Sequence, residues 1–329
     1  MMKRSESVWD SVGNTPLIRL KSLSEHTGCH IYGKAEFLNP GGSIKDRAAK
    51  GIIQAAEADG SLQKGGTIVE GTAGNTGIGL ATLAAERGYK VVLTMPNNQA
   101  QEKYDMLAAL GVTVHAVSPC PFANPDHFYH QAGRLAKETP GAVWADQFEN
   151  TANAQIHYDT TGPELWEQLE GRIDFLVAAC GSGGTLGGTS AYLKARDPAI
   201  RVIALDPHGS GVHDYFKCGE FTGDGGSVTE GIGIKRLTAN LVRAVVDDAL
   251  RVTDQAMMDM LFHTAHRDGL FLGTSSALNL YGAYQVAMNN RNSGKTIVTF
   301  MCDHGSRYAG RLLNPSWLEE KNLVPRPLF

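Results

Sequence analysis

Short apolar runs alternate with stretches of helical periodicity along most of the chain. HIYGKAEF at 30–37 precedes a helical pattern from Lys45 to Asp59, and TIVEGT at 67–72 precedes one from Thr76 to Arg87. KVVLTMP at 90–96 precedes a third, from Ala100 to Leu110, and VTVHAV at 112–117 reads as a strand again. Apolar runs that alternate with helices in this way specify parallel sheets with crossover helices. AVWADQ at 142–147 reads as a linking stretch, followed by a helix near Gly162 to Leu169. The alternation then restarts with FLVAAC, RVIALDP, LVRAVVDDALRVT and TIVTFMCD. Two α/β units are expected, with a boundary near Phe148 to Asn153 and ligands held at the carboxyl ends of strands in the cleft between them. In Thr160-Thr161-Gly162-Pro163-Glu164 a hydroxyl and a proline stand where a helix cap and first turn usually have them.

Composition narrows the partners. The chain has 329 residues and a formal net charge of −4, with basic and acidic residues interspersed. No run of like charges suggests nucleic acid or a membrane surface, so small solutes are expected. Five cysteines, Cys29, Cys120, Cys180, Cys218 and Cys302, are widely spaced and odd in number. They suggest neither disulfides nor zinc, and the histidines show no metal-ligand spacing. Cys180 and Cys302 each close an apolar strand and read as buried small hydrophobes. Asp46 and Arg47 read as a pair supporting a helix start. MMKRSESVWDSV at the N-terminus has no signal-type apolar stretch, no segment is long enough to span a membrane, and a cytoplasmic location is expected.

Three glycine-rich loops carry the chemistry. Lys45 lies in NPGGSIKDR, GTAGNTG at 71–77 follows a strand and opens a helix, and CGSGGT at 180–185 follows FLVAAC. An amine becomes a useful nucleophile when a fold holds it against a carbonyl. The two later loops aim backbone amides at a helix start, where a carboxylate or phosphate is favoured. Neither loop has the GxGxxG context of a dinucleotide site, which makes NAD a minor alternative.

Together these loops resemble the fold-type II pyridoxal-phosphate enzymes, specifically the cysteine synthase and cystathionine β-synthase group. The resemblance rests on VGNTPLIRL at 12–20, KAEFLNPGGSIKDR at 34–47, EGTAGNTGIGLA at 70–81, QFEN at 147–150, TTGPELW at 160–166, GSGGTLGG at 181–188, EGIG at 230–233, GTSSA at 273–277 and DHGSRY at 303–308. It implies a tryptophan-synthase-β-like fold with a smaller mobile domain over 40–149 and a larger phosphate-binding domain made of 1–39 with 150–329. It also implies that pyridoxal 5'-phosphate forms a Schiff base with Lys45 and that Asn75 bonds its ring hydroxyl. Gly181, Ser182, Gly183, Gly184 and Thr185 would hold the phosphate, and Ser275 would face the pyridine nitrogen. Thr72, Ala73, Gly74, Asn75, Thr76 and Gln147 would bind the substrate carboxylate.

The activity so implied is formation of L-cysteine from O-acetylserine and sulfide through an α-aminoacrylate. The alternatives are L-cysteine desulfhydrase, cystathionine β-synthase or, outside enzymes, an α/β nucleotide-binding regulatory protein. A homodimer is implied, and serine acetyltransferase is a conceivable partner. Two positions depart from the family pattern: Ala73 stands where serine is usual and Glu230 where glutamine is common. With the sequence ending at Phe329, neither the heme-binding extension nor the regulatory tail of larger cystathionine β-synthases is expected.

Overall fold

The computed structural model describes residues 4–329, so the first three residues of the N-terminal run lie outside it. Among the described residues ten strands form two sheets. In the first, β1 (Leu17–Arg19), β2 (His30–Ala35), β7 (Phe175–Ala179), β8 (Arg201–Pro207), β9 (Asp248–Val252) and β10 (Thr296–Met301) take the order β1-β2-β10-β7-β8-β9. All neighbours in it are parallel except β1, which pairs antiparallel with β2. The second sheet is wholly parallel, with order β5-β4-β3-β6 from β3 (Thr67–Gly71), β4 (Lys90–Pro96), β5 (Thr113–Val117) and β6 (Ala142–Trp144). The expected α/β class with two parallel-sheet units is what the chain forms.

The apolar runs are explained by what covers them. Successive residues of a strand face opposite sides of the sheet. Val177, Ile203, Ile297 and Met301 enter one core, whereas Leu176, Ala178, Val202, Val298 and Phe300 enter another. A sheet buried on both faces favours apolar residues at successive positions, hence FLVAA and most of TIVTFM, where the buried Thr299 hydroxyl bonds the Val177 carbonyl. In the smaller sheet Ile68, Leu93 and Met95 pack with Ile52, Ile53, Ile78 and Leu80 of the helices Lys45–Ala58 and Asn75–Arg87.

Four expectations are corrected. AVWADQ contains β6, which pairs with β3 at Thr67↔Ala142; three half-buried residues were too few to show a period. Only Asp248–Val252 of LVRAVVDDALRVT is strand, and Val242 and Val245 before it are exposed. Thr160 and Thr161 cap nothing, because the chain is already helical from Ala152 and passes through a π turn at His157–Thr161. With the amides there already paired, Thr160 Oγ1 donates to the Ile156 carbonyl at 2.6 Å and Thr161 Oγ1 meets His157 Nδ1 at 2.8 Å. Asp46 and Arg47 do not pair with each other: Asp46 accepts from the Gly41 amide, and Arg47 turns to Glu36 and Glu164. No helix among the described residues is long and apolar enough to cross a membrane.

Candidate active site

A cavity of about 430 Å³ opens beyond the carboxyl ends of β3, β7, β8 and β10. Lys45, Thr72, Ala73, Gly74, Asn75, Thr76, Gln147, Gly181, Ser182 and Ser275, brought from five parts of the sequence, all line it. Gly183, Gly184 and Thr185 continue from its wall into the helix Gly184–Arg196.

Lys45 begins the helix Lys45–Ala58. Its Nζ has no hydrogen-bond or ion-pair partner among the described residues; the one side-chain bond nearby joins its backbone amide to Ser43 Oγ. Burial pushes its pKa below the ordinary lysine value, opposed by the nearby Cys302 and Cys180 thiols and Asp303. Removing water disfavours the ammonium and leaves a larger share of neutral, nucleophilic amine.

The loop from Thr72 to Thr76 turns sharply into the helix Asn75–Arg87. Gly74 has φ +126° and a Cβ there would lie 2.6 Å from Lys103 Cδ, so only glycine makes this turn. Thr72 Oγ1 accepts from the Gly74 amide, and Thr76 Oγ1 donates to Gln147 Oε1 at 2.6 Å. Gln147 Nε2 donates in turn to Glu70 Oε1 at 2.9 Å. Asn75 Nδ2 donates to Asp303 Oδ2 at 2.7 Å and its Oδ1 accepts from Arg307 at 2.5 Å. One Nδ2 hydrogen of Asn75 therefore stays free for an acceptor in the cavity.

Burial holds the Glu70 carboxyl up at about 8, despite the hydrogen bonds from Gln147. Its neutral form keeps a negative charge away from the loop. The ordinary value is 4.5, so the folded protein binds more protons than the unfolded chain between the two values. Stability therefore falls as pH rises from about 4.5 to about 8, and levels off above that. Glu70→Gln stays neutral throughout: its melting temperature should exceed that of the wild type at about pH 9, with the gap closing toward pH 4. Parallel melting curves for the two proteins across that range would refute the assignment.

At the other end, the thirteen-residue helix Gly184–Arg196 starts after Gly183 with no side-chain cap, leaving its first amides open. Asn153 Nδ2 steadies Ser182 Oγ at 2.9 Å, and Thr185 Oγ1 lies 3.2 Å from His157 Nε2. Burial pushes His157 well below its ordinary pKa, so a neutral imidazole sits beside Thr185. Gly181 leaves the space that a cradle requires: a Cβ would fall 2.2 Å from the Gly231 carbonyl. Ser275 opens the helix Thr274–Asn289 beside Cys302, whose thiol is pushed up to about 12 by burial. Residues present here suit pyridoxal phosphate: a free amine, open amides at a helix start and the neutral Ser275 and Cys302 side chains in the same lining.

Sequence reasoning missed Asn153, His157 and Lys103, which carry no motif of their own. It also missed the aromatic mouth, where Arg236 sits over Phe122 and Tyr129 at 4.5 and 5.1 Å from the ring centres and pairs with Glu149. Clustered aromatics in PFANPDHFYH were the available signal.

The chain belongs to the pyridoxal-phosphate dependent enzymes, whose family model matches residues 8–303. It is 48% identical over 319 residues to cysteine synthase 1 of Neurospora crassa, covering 95% of this chain and 85% of that protein. It is 46% identical over 329 residues to the cysteine synthase of Dictyostelium discoideum, covering 97% of this chain and 86% of that one. Among solved structures, an O-acetylserine dependent cystathionine β-synthase from Helicobacter pylori superposes with a TM-score of 0.85 at 30% identity, covering 94% of this chain and 98% of that one.

Proposed function

We propose that this chain forms L-cysteine and acetate from O-acetylserine and sulfide. The observation that carries the reading is the agreement between relatives named cysteine synthase over nearly the full chain and a cavity with a free lysine between two anion-accepting loops. When bound, pyridoxal phosphate supplies an aldehyde for an amine and a conjugated ring that accepts the electrons left as the Cα–H bond breaks. Lys45 Nζ, its ammonium form disfavoured by burial, would hold the cofactor in the resting enzyme and take the α proton as general base. Thr72, Thr76, Gln147 and the 72–76 amides receive the substrate carboxylate, for which the Thr76 hydroxyl and the Gln147 amide exchange their present bonds to each other and to the neutral Glu70. Gly181 to Thr185 hold the phosphate, and Asn75 offers its free amide hydrogen to the ring hydroxyl. Ser275, a neutral hydroxyl, faces the pyridine nitrogen without enforcing its protonation, which favours departure of a β substituent over long-lived carbanion chemistry.

The division into a smaller domain at 40–149 and a larger one at 1–39 with 150–329 belongs to the same reading, supported by β3 to β6 forming their own sheet. Five unpaired cysteines favour a reducing compartment such as the cytoplasm. A homodimer and an association with serine acetyltransferase rest on the family resemblance alone. Three parallel assays test the activity: O-acetylserine with sulfide, serine with homocysteine, and cysteine alone. The first should exceed both others by at least about tenfold in specificity constant. Faster turnover of either other set would replace this reading with a cystathionine-forming or desulfhydrating one.

A further inference from the structure

Glu230 lies in the stretch Thr229–Gly233 that forms one wall of the cavity, and its side chain faces two cations. Lys103, from the helix Gln101–Ala109, places Nζ 2.5 Å from Glu230 Oε2. Arg311 pairs with Oε1 from the other side and donates through Nη2 to the Asn98 carbonyl at 2.7 Å. Lys103 is 2% and Glu230 8% exposed, so their charges meet out of water. The same Lys103 Nζ donates to the Ala73 carbonyl at 3.2 Å, and its stem lies against Gly74. A second tie runs parallel, from the Gly310 amide to Glu102 Oε1 at 2.6 Å. The cluster thus ties three separate pieces of chain together: the 98–109 segment, the Glu230 loop and the 308–311 segment, where Tyr308 also faces Lys103 at 4.7 Å.

We propose that Glu230 is a positioning residue that acts through Lys103 to hold the 72–76 loop in its carboxylate-receiving form and to latch the Gln101–Ala109 helix across the cavity mouth. This rests on the cysteine-forming reading and goes beyond it, because the latch governs how long the unsaturated amino acid left by loss of acetate is protected before sulfide arrives. A buried ammonium without its carboxylate is strongly disfavoured. Lys103 therefore moves toward water when Glu230 is removed, and the Ala73 carbonyl loses its donor. A loosened loop binds the substrate carboxylate less tightly. An open mouth admits water, and O-acetylserine plus water then yields pyruvate, ammonia and acetate in place of cysteine and acetate. Glutamine at 230 keeps the shape but not the charge: its single carbonyl oxygen can accept from Lys103 or from Arg311, and its NH2 then faces the other cation.

The test compares wild type, Glu230→Ala, Glu230→Gln and Arg311→Met as holoenzymes. Amide hydrogen exchange without amino acid should quicken by about tenfold or more at 72–76 and 101–109 in Glu230→Ala, with the helix Gly184–Arg196 unchanged. The KM for O-acetylserine should rise about tenfold while kcat falls less than about threefold, and the pyruvate share of product in the presence of sulfide should rise. Glu230→Gln and Arg311→Met should shift the same way by smaller amounts, and they carry the test if the alanine variant fails to fold. Wild-type exchange, KM and product ratio in the variants would overturn the latch, as would a fall in kcat with KM and product ratio unmoved. If wild type makes no cysteine, the activity assignment fails, and the exchange measurements still decide whether the latch exists.

Discussion

Replacing Lys45 by alanine should lower turnover by about a thousandfold or more, since one side chain both tethers the cofactor and moves the α proton. The fold should survive. Lys45 Nζ has no partner among the described residues, so its loss strands no buried charge or hydrogen-bonding group, and the helix that it opens is held by Ala48, Ala49, Ile52 and Ile53 in the core. The checks are turnover of O-acetylserine with sulfide, thermal unfolding, and mass spectrometry after borohydride reduction, which should add the cofactor's mass to the wild type alone. Wild-type rates in a purified Lys45→Ala protein would remove the central role given to this amine.

Two residues further along the same helix, Arg47→Ala should instead strike stability, by about 3–5 kcal/mol. The guanidinium is 1% exposed and doubly bidentate: Nε and Nη2 reach Glu36 at 2.8 and 2.9 Å, while Nη1 and Nη2 each reach Glu164 at 2.7 Å. Lys34 completes the cage at 2.6 Å from Glu164. Without Arg47, two carboxylates share a single cation away from water. Burial alone would raise the Glu164 pKa, yet the bonds from Arg47 hold it down at about 2, against an ordinary 4.5. Its contribution is thus complete above about pH 4.5 and drains away as pH falls toward 2. Denaturant unfolding at neutral pH and at about pH 3 measures both effects: the gap between Arg47→Ala and wild type should be wide at the first and narrower at the second. A neutral-pH loss below about 1 kcal/mol would mean that the cage contributes no more than a surface pair.

What could be read from the sequence follows from the range of the forces involved. β7, β8 and β10 announce themselves because strands buried on both faces are mostly apolar, and the glycine loops announce themselves because close turns exclude side chains. β6 is only three residues long and takes its conformation from β3, which no local pattern encodes. The Arg47 cage was invisible for a related reason: Glu36 and Glu164 lie 11 and 117 positions from Arg47, and each looks like an ordinary polar residue until the fold joins them. Lys103 and Glu230 are 127 positions apart. Glu230 stood out as a departure from the family pattern, yet its meaning needed the partner that folding delivers. His157 gave no hint at all, since a lone histidine in a helical stretch says nothing about the Thr185 hydroxyl beside it.

Cys302 lines the cavity with Lys45, in a protein whose proposed product is itself a thiol. Cellular cysteine exists in exchange with disulfides, and an ordinary thiolate lining the site would be drawn into that exchange. Burial prevents it. With their pKa values pushed up to about 12, Cys302 and Cys180 stay in the thiol form at neutral pH. The same surroundings that disfavour the lysine ammonium thus disfavour the neighbouring thiolates, which suits a site proposed to meet sulfide and cysteine at every turnover.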